Sequence, residues 1–238
     1  MTKYIPDTTK ASSITDPELP VAHSGTIVSN AYLVDCMDAM RYYPDKYFDL
    51  AIVDPPYGID ITQKSKSFSA KKFTNEQHWD DAIPRREYFT ELFRVSKNQI
   101  IWGGNYFLNH LGPTKCMIVW DKHNSNKGRF ADGEIAWTSF DKPTRIATYE
   151  WLRWYQPNMK NKQERIHPTQ KPTQLYEWLM QEYSSPNDKI LDTHMGSGSC
   201  RIAAYNARRR YTGFEISEKY FLDQEQRWKK FLSQTALF

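Results

Sequence analysis

The chain has 238 residues, with 32 Lys and Arg against 28 Asp and Glu, a formal charge of +4 and three cysteines. A folded chain of this length buries roughly 70–75% of its unfolded surface and needs no covalent or metal staple. Cys36, Cys116 and Cys200 are odd in number and form no CxxC or Cys/His cluster, which excludes a disulfide scaffold and a structural zinc module. The longest apolar run, Cys116 to Trp120, falls far short of the roughly 20 residues of a membrane span. No signal-like segment opens the chain, so a cytoplasmic protein without a membrane partner or a metal is expected.

Residues 1–22 are polar and lack apolar periodicity, which predicts a loose N-terminal arm ahead of a single domain over 23–238. Beyond the arm, short apolar runs alternate with amphipathic stretches, the pattern of a sheet covered by helices. Strands are expected at 48–53, 99–102, 117–120, 134–138, 189–192 and 212–216, with an earlier one inside 26–34. Helices are expected at 84–95 and 172–183, each opening on a proline, at 199–209 after a glycine pair, and at 218–233 behind Ser217 as N-cap. Two stretches do not fit the sheet: 61–75, with four lysines and no acid, and 142–165. Both read as loops or a small subdomain on one edge.

The second of these stretches carries most of the charge asymmetry. From Lys142 to Lys171 there are seven cations and two acids, a surplus of five that exceeds the +4 of the whole chain. Tyr149, Trp151, Trp154 and Tyr155 are interleaved with them. Cations among aromatics suit a surface that meets phosphates and stacks on bases, although a solvated face over core aromatics has the same composition.

The strand at 48–53 runs into Asp54-Pro55-Pro56-Tyr57-Gly58. Open α/β sheets bind ligands at the carboxyl ends of their strands, where Asp54 falls. The two prolines end the strand and remove two amide donors. The turn is left with acceptors beside a carboxylate, which suits a substrate bearing an amino group. Tyr57 adds a flat face for a planar ring.

A second motif is Asp192-Thr193-His194-Met195-Gly196-Ser197-Gly198. A strand ends in an acid, and a Gly-x-Gly turn lets a ligand approach the backbone where a helix begins. The third glycine of a dinucleotide fingerprint would fall at Arg201. Seventeen residues past Gly198, the next strand delivers Glu215, an acid able to bridge ribose hydroxyls. Together these elements describe a nucleoside site without a diphosphate. Between the two motifs lies His167-Pro168-Thr169-Gln170-Lys171-Pro172, whose Lys171 could meet a carboxylate or simply start a helix.

The order of these three motifs resembles the beta group of S-adenosylmethionine-dependent amino-methyltransferases of DNA, in which the catalytic tetrapeptide precedes the cofactor loop. The resemblance covers about 26–215. It implies a Rossmann-like methyltransferase α/β sheet of about seven mostly parallel strands in circularly permuted motif order. It also implies Asp54, Pro55, Pro56 and Tyr57 as the catalytic turn. The cofactor S-adenosylmethionine would be held by Asp35, Lys171, Asp192, Gly196, Ser197, Gly198 and Glu215. Val34-Asp35-Cys36 is similar to the family's Gly-Asp-Cys turn, with valine for glycine, and Val119-Trp120-Asp121-Lys122 to a later strand end.

On the same resemblance, a short target-recognition insertion lies at 142–165. Contacts to double-stranded DNA would come from Lys64, Lys66, Lys71, Lys72, Arg145, Arg153, Trp154, Lys160, Lys162 and Arg165. The target base would be flipped from the duplex, and a homodimer is allowed. Aspartate at the head of the tetrapeptide inclines the substrate to adenine N6. Cytosine N4, an amine of RNA, and a non-catalytic DNA-binding subunit are the alternatives. A nicotinamide-linked oxidoreductase fits least, because the phosphate fingerprint is incomplete.

Overall fold

A computed structural model describes residues 27–59, 80–123, 131–151 and 163–235. The arm at 1–22 and the lysine-rich stretch 61–75 lie outside these residues. Among the described residues eight strands form one sheet in the order β1-β8-β7-β2-β3-β5-β4-β6. In chain order they are β1 (Ser29–Leu33), β2 (Phe48–Val53), β3 (Ser96–Trp102), β4 (Met117–Asp121), β5 (Gly133–Thr138), β6 (Arg145–Thr148), β7 (Lys189–Asp192) and β8 (Arg210–Glu215). Only β5 runs antiparallel to its neighbours β3 and β4; the remaining pairs are parallel.

β2 is central and apolar almost throughout, as a parallel strand covered on both faces must be. Its side chains alternate between two cores. Leu50 and Ile52 join Ile100, Leu175, Leu179 and Ala203 on one face, whereas Ala51 and Val53 join Tyr88, Phe89, Leu92 and Ile101 on the other. The covering helices are α1 (Cys36–Met40), α2 (Arg86–Val95), α3 (Thr173–Tyr183), α4 (Ser199–Asn206) and α5 (Glu218–Thr235). In α2 the buried Tyr88, Phe89, Leu92 and Val95 share one face at helical spacing. The Ser217 hydroxyl accepts the Tyr220 amide at 3.3 Å, capping α5 as expected.

Three local features depart from the sequence expectations. The edge strand β6 arises within 142–165, where only a loop or subdomain was expected. Of its four residues only Ala147 is buried, so it has no apolar run to signal a strand. This outer strand raises the count from about seven to eight. The short α1 was not anticipated, since its five residues carry no full amphipathic period. Finally, α4 stops at Asn206 instead of continuing to 209, because Arg208 turns to a positive φ of 58°.

Candidate active site

The acceptor turn is built where β2 leaves the core. Pro55 and Pro56 lack amide hydrogens, and the next two amides, of Tyr57 and Gly58, donate to Asp80 Oδ1 at 2.8 and 3.0 Å. From residue 55 to 58 every backbone donor is therefore absent or spent. A ligand with N–H groups meets carbonyls and the Asp54 carboxylate there.

That carboxylate is gripped on both oxygens. The Tyr57 hydroxyl donates to Asp54 Oδ1 at 2.6 Å, and Lys171 Nζ donates to Oδ2 at 2.6 Å. The same ammonium lies 3.0 Å from Glu134 Oε2, and Lys122 holds Glu134 Oε1 at 2.6 Å. Burial alone would lower the Lys171 pKa, but Asp54 and Glu134 override it and raise it, so the ammonium stays charged. Burial pushes the Asp54 carboxyl up against the pull of Lys171. Burial also acts to raise Glu134, but Lys171 and Lys122 hold it down to about 2. Trp102 floors the cluster, its ring centroid 5.2 Å from Lys171 Nζ.

The glycine motif lies beside this corner, because β7 pairs with β2 through Leu50↔Ile190 and Ala51↔Leu191. β1, β8 and β7 are neighbours in the sheet, and their carboxyl ends bring Asp35, Glu215 and Asp192 together. Glu215 accepts the amides of Gly196 at 2.8 Å and Ser217 at 3.0 Å, tying the glycine turn to the acid strand. Gly196 adopts φ +48°, and a Cβ there would touch the His167 ring at 3.4 Å. Burial pushes the His167 imidazole down to about 3, with Lys171, Arg165 and Lys219 acting the same way, so a neutral ring props the turn.

Burial pushes the Asp192 carboxyl up to about 7, with Asp54 and Glu215 adding to the rise against hydrogen bonds from Tyr211 and the His194 amide. Three carboxylates around a glycine turn suit a cationic nucleoside. Arg201, where a third glycine would stand, directs its guanidinium to Ser29, Gln224 and Glu225. These residues fit S-adenosylmethionine, a sulfonium with two ribose hydroxyls, and not a diphosphate.

The structure thus gathers Asp54 to Tyr57 at one corner, and Asp35, Asp192, Gly196, Ser197, Gly198 and Glu215 at the next. Lys171, expected among the cofactor residues on resemblance, has its ammonium on Asp54 and Glu134. Arg145 is exposed on the edge strand β6. Arg165 turns inward, donating to the carbonyls of Pro168 and His167. Lys64, Lys66, Lys71, Lys72, Arg153, Trp154, Lys160 and Lys162 lie outside the described residues.

Sequence reasoning missed Asp80, Glu134, Lys122 and Arg227. Arg227, on α5, bonds the Ser197 carbonyl at 2.8 Å and the Thr173 hydroxyl at 3.3 Å, clamping the glycine turn to the start of α3. Of the four, Lys122 closes the Val119-Trp120-Asp121-Lys122 strand end and Glu134 starts an expected strand, but neither was given a role there; Asp80 and Arg227 lie in no motif.

An acidic glycine turn and an acceptor corner at adjacent carboxyl ends of a mostly parallel sheet have the layout of a Rossmann-like methyltransferase fold. A model of the N6/N4 methylase family, described as DNA methylase, matches residues 140–226. YubD of Escherichia coli (strain K12), to which a methylase function is ascribed, is 26% identical over 210 residues, covering 81% of this chain and 87% of its own. The M1.HpyAVI complex with SAM superposes with a TM-score of 0.55 at 20% identity, covering 84% of this chain and 98% of its own. PvuII DNA methyltransferase, cytosine-N4-specific, superposes with a TM-score of 0.56 at 15% identity, covering 84% of this chain and 87% of its own. Over these stretches the chain is similar to the amino-methyltransferases of DNA, the group that modifies adenine N6 or cytosine N4.

Proposed function

We propose that this protein transfers a methyl group from S-adenosylmethionine to the N6 amino group of adenine in double-stranded DNA, with the target base flipped out of the helix. The observation that carries the reading is the adjacency of β2 and β7, which sets the donor-free turn at Asp54 beside the acidic glycine turn at Asp192. Adenine over cytosine rests on aspartate heading the tetrapeptide.

When bound, S-adenosylmethionine supplies an electrophilic methyl group on a sulfonium. Asp35, Asp192, Glu215 and the turn from Gly196 to Gly198 would hold it. The chain's remaining task concerns the amine, whose lone pair is delocalised into the base. Asp54 and the Pro55 carbonyl accept its two hydrogens and favour a pyramidal nitrogen with its lone pair free. As positive charge grows on nitrogen, these fixed acceptors stabilise it more than the neutral ground state. The proton the nitrogen then sheds passes to the Asp54 carboxylate, a better acceptor for being buried. Lys171 and the Tyr57 hydroxyl hold that carboxylate in place, so alignment costs little at the moment of reaction.

The test is a labelled-methyl assay on duplex DNA, followed by digestion to nucleosides and identification of the modified base by mass. N6-methyladenine is expected; N4-methylcytosine would replace the assignment of the base, and no label in DNA would reject the reading. Asp54→Ala should abolish transfer while calorimetry shows cofactor affinity retained. Substantial turnover by that variant removes Asp54 from the chemistry. Light scattering of the purified chain measures the pairing that the family resemblance allows.

A further inference from the structure

Tyr57 has two aromatic or backbone walls, and they are not equivalent. β3 ends at Trp102, and Gly103 follows at φ +70°. A Cβ on Gly103 would lie 2.3 Å from Tyr57 Cε1, so the backbone here rests directly on the tyrosine ring. Gly104 is equally confined, since a Cβ there would approach the Cβ of Trp137 to 2.6 Å. The 3-10 turn Gly104–Tyr106 is thereby pinned between Tyr57 and Trp137, and Phe107, fully buried, anchors its far end.

From this fixed turn Tyr106 projects as the outer wall. Its ring stacks on Tyr57 with centroids 5.0 Å apart and planes 15° from parallel. Yet 43% of Tyr106 is exposed, and its neighbour Leu108 is 61% exposed. An exposed ring held flat against an inner aromatic, whose own hydroxyl leads to Asp54 and Lys171, marks a slot for a planar group at the mouth of the acceptor corner.

We propose that Tyr106 is the outer stacking wall for the target base: in the free protein its ring lies on Tyr57, and it moves outward to cover the base once the base is in the site. This rests on the reading of the protein as a base-flipping amino-methyltransferase and names a residue that reading does not assign. Adjacent stacked rings sit roughly 3.5 Å apart in van der Waals contact, so admitting a base displaces Tyr106 by about one ring thickness. The side chain can do this by rotation alone, because the glycines and Phe107 hold the backbone. Stacking is tolerant of base identity, so this wall retains the base without reading sequence.

The experiment uses the full chain and a duplex carrying the methylation site mapped from its own modified DNA. For Tyr106→Ala, KM for DNA is expected to rise about tenfold or more, the loss typical of one base-aromatic stack, with cofactor affinity unchanged. Tyr106→Phe should recover most of that loss, since the ring and not the hydroxyl stacks. With 2-aminopurine at the target position, the wild type should quench the base between two rings, and Tyr106→Ala should show the brighter emission of a ring stacked on one side. Unaltered KM and emission in Tyr106→Ala would overturn the assignment, as would a Tyr106→Phe variant no better than Tyr106→Ala. Thermal melting of both variants separates misfolding from lost stacking, and Tyr106→Leu provides a second apolar replacement. If the wild type itself fails to label DNA, the enzymatic reading fails; if it labels DNA and Tyr106→Ala matches it, only this proposal does.

Discussion

Lys171 and Asp54, 117 residues apart in the chain, meet at 2.6 Å in the core of the site. The lysine side chain is 2% exposed, so its charge is matched by protein groups, Asp54 and Glu134, in place of water. An ion pair this buried adds little net stability but is costly to break from one side, about 3–5 kcal/mol. Its value is geometric: it fixes the carboxylate that, on the proposed reading, faces the amine.

Replacing Lys171 by Met should therefore lower kcat by about a hundredfold, the scale on which misplaced catalytic groups lose rate. Asp54 faces Lys171, the Tyr57 hydroxyl and Glu134, and burial already raises its pKa. Without the ammonium it rises further. Activity lost on acidification should then be lost at higher pH in Lys171→Met than in the wild type. Cofactor affinity, measured by calorimetry, should stay at the wild-type value. A large loss of cofactor affinity with little change in the pH profile would return Lys171 to the cofactor carboxylate.

Asp192 supplies a second pH dependence. Its pKa, pushed by burial to about 7, means the carboxyl is neutral below that pH and charged above it. Affinity for cationic S-adenosylmethionine should increase between about pH 6 and pH 8, and Asp192→Asn should flatten the increase. Stability runs the other way. The folded state binds this proton more tightly than the unfolded chain, so the contribution is full at low pH and is lost as pH rises toward 7. Melting of the ligand-free protein between about pH 4 and pH 7 should show a decline that Asp192→Asn reduces.

Gly103→Ala tests the packing against Tyr57. The residue sits at φ +70°, and the added methyl would meet the ring at 2.3 Å. Backbone strain of this kind costs about 1–3 kcal/mol before the clash is counted. For a chain of this size each kcal/mol lowers Tm by roughly 2–4 °C. The variant should melt several degrees lower and transfer methyl groups more slowly; an unchanged melt would mean the turn is not pinned as described.

Glu215 has two roles that substitution can separate. It accepts the Gly196 and Ser217 amides, and on the proposed reading it would bridge ribose hydroxyls. Glu215→Ala removes both and should weaken cofactor binding by more than about tenfold, as expected when buried donors lose their acceptor. Glu215→Gln keeps one carbonyl acceptor and should fall between alanine and wild type in the same titration.

Much of this architecture was legible in one dimension. The central strands are short apolar runs because both faces of a parallel sheet are buried, and seven of the eight strands could be read that way. The acceptor turn and the glycine turn are local too: prolines and a positive-φ glycine dictate backbone shape wherever they occur. By contrast, β6 escaped notice because an edge strand with one buried side chain leaves no periodic trace. The strand order, and with it the adjacency of β2 and β7, came only from the folded sheet. So did the charge network, since Lys122, Glu134, Lys171 and Asp54 come from four separate segments and their partnership depends on burial, which sequence spacing does not encode. Chain chemistry alone determined which turns could carry acceptors and which could cradle a nucleoside. Tertiary packing decided which charges they would share, because Coulomb pairing in a low-dielectric interior depends on distance through space and not along the chain.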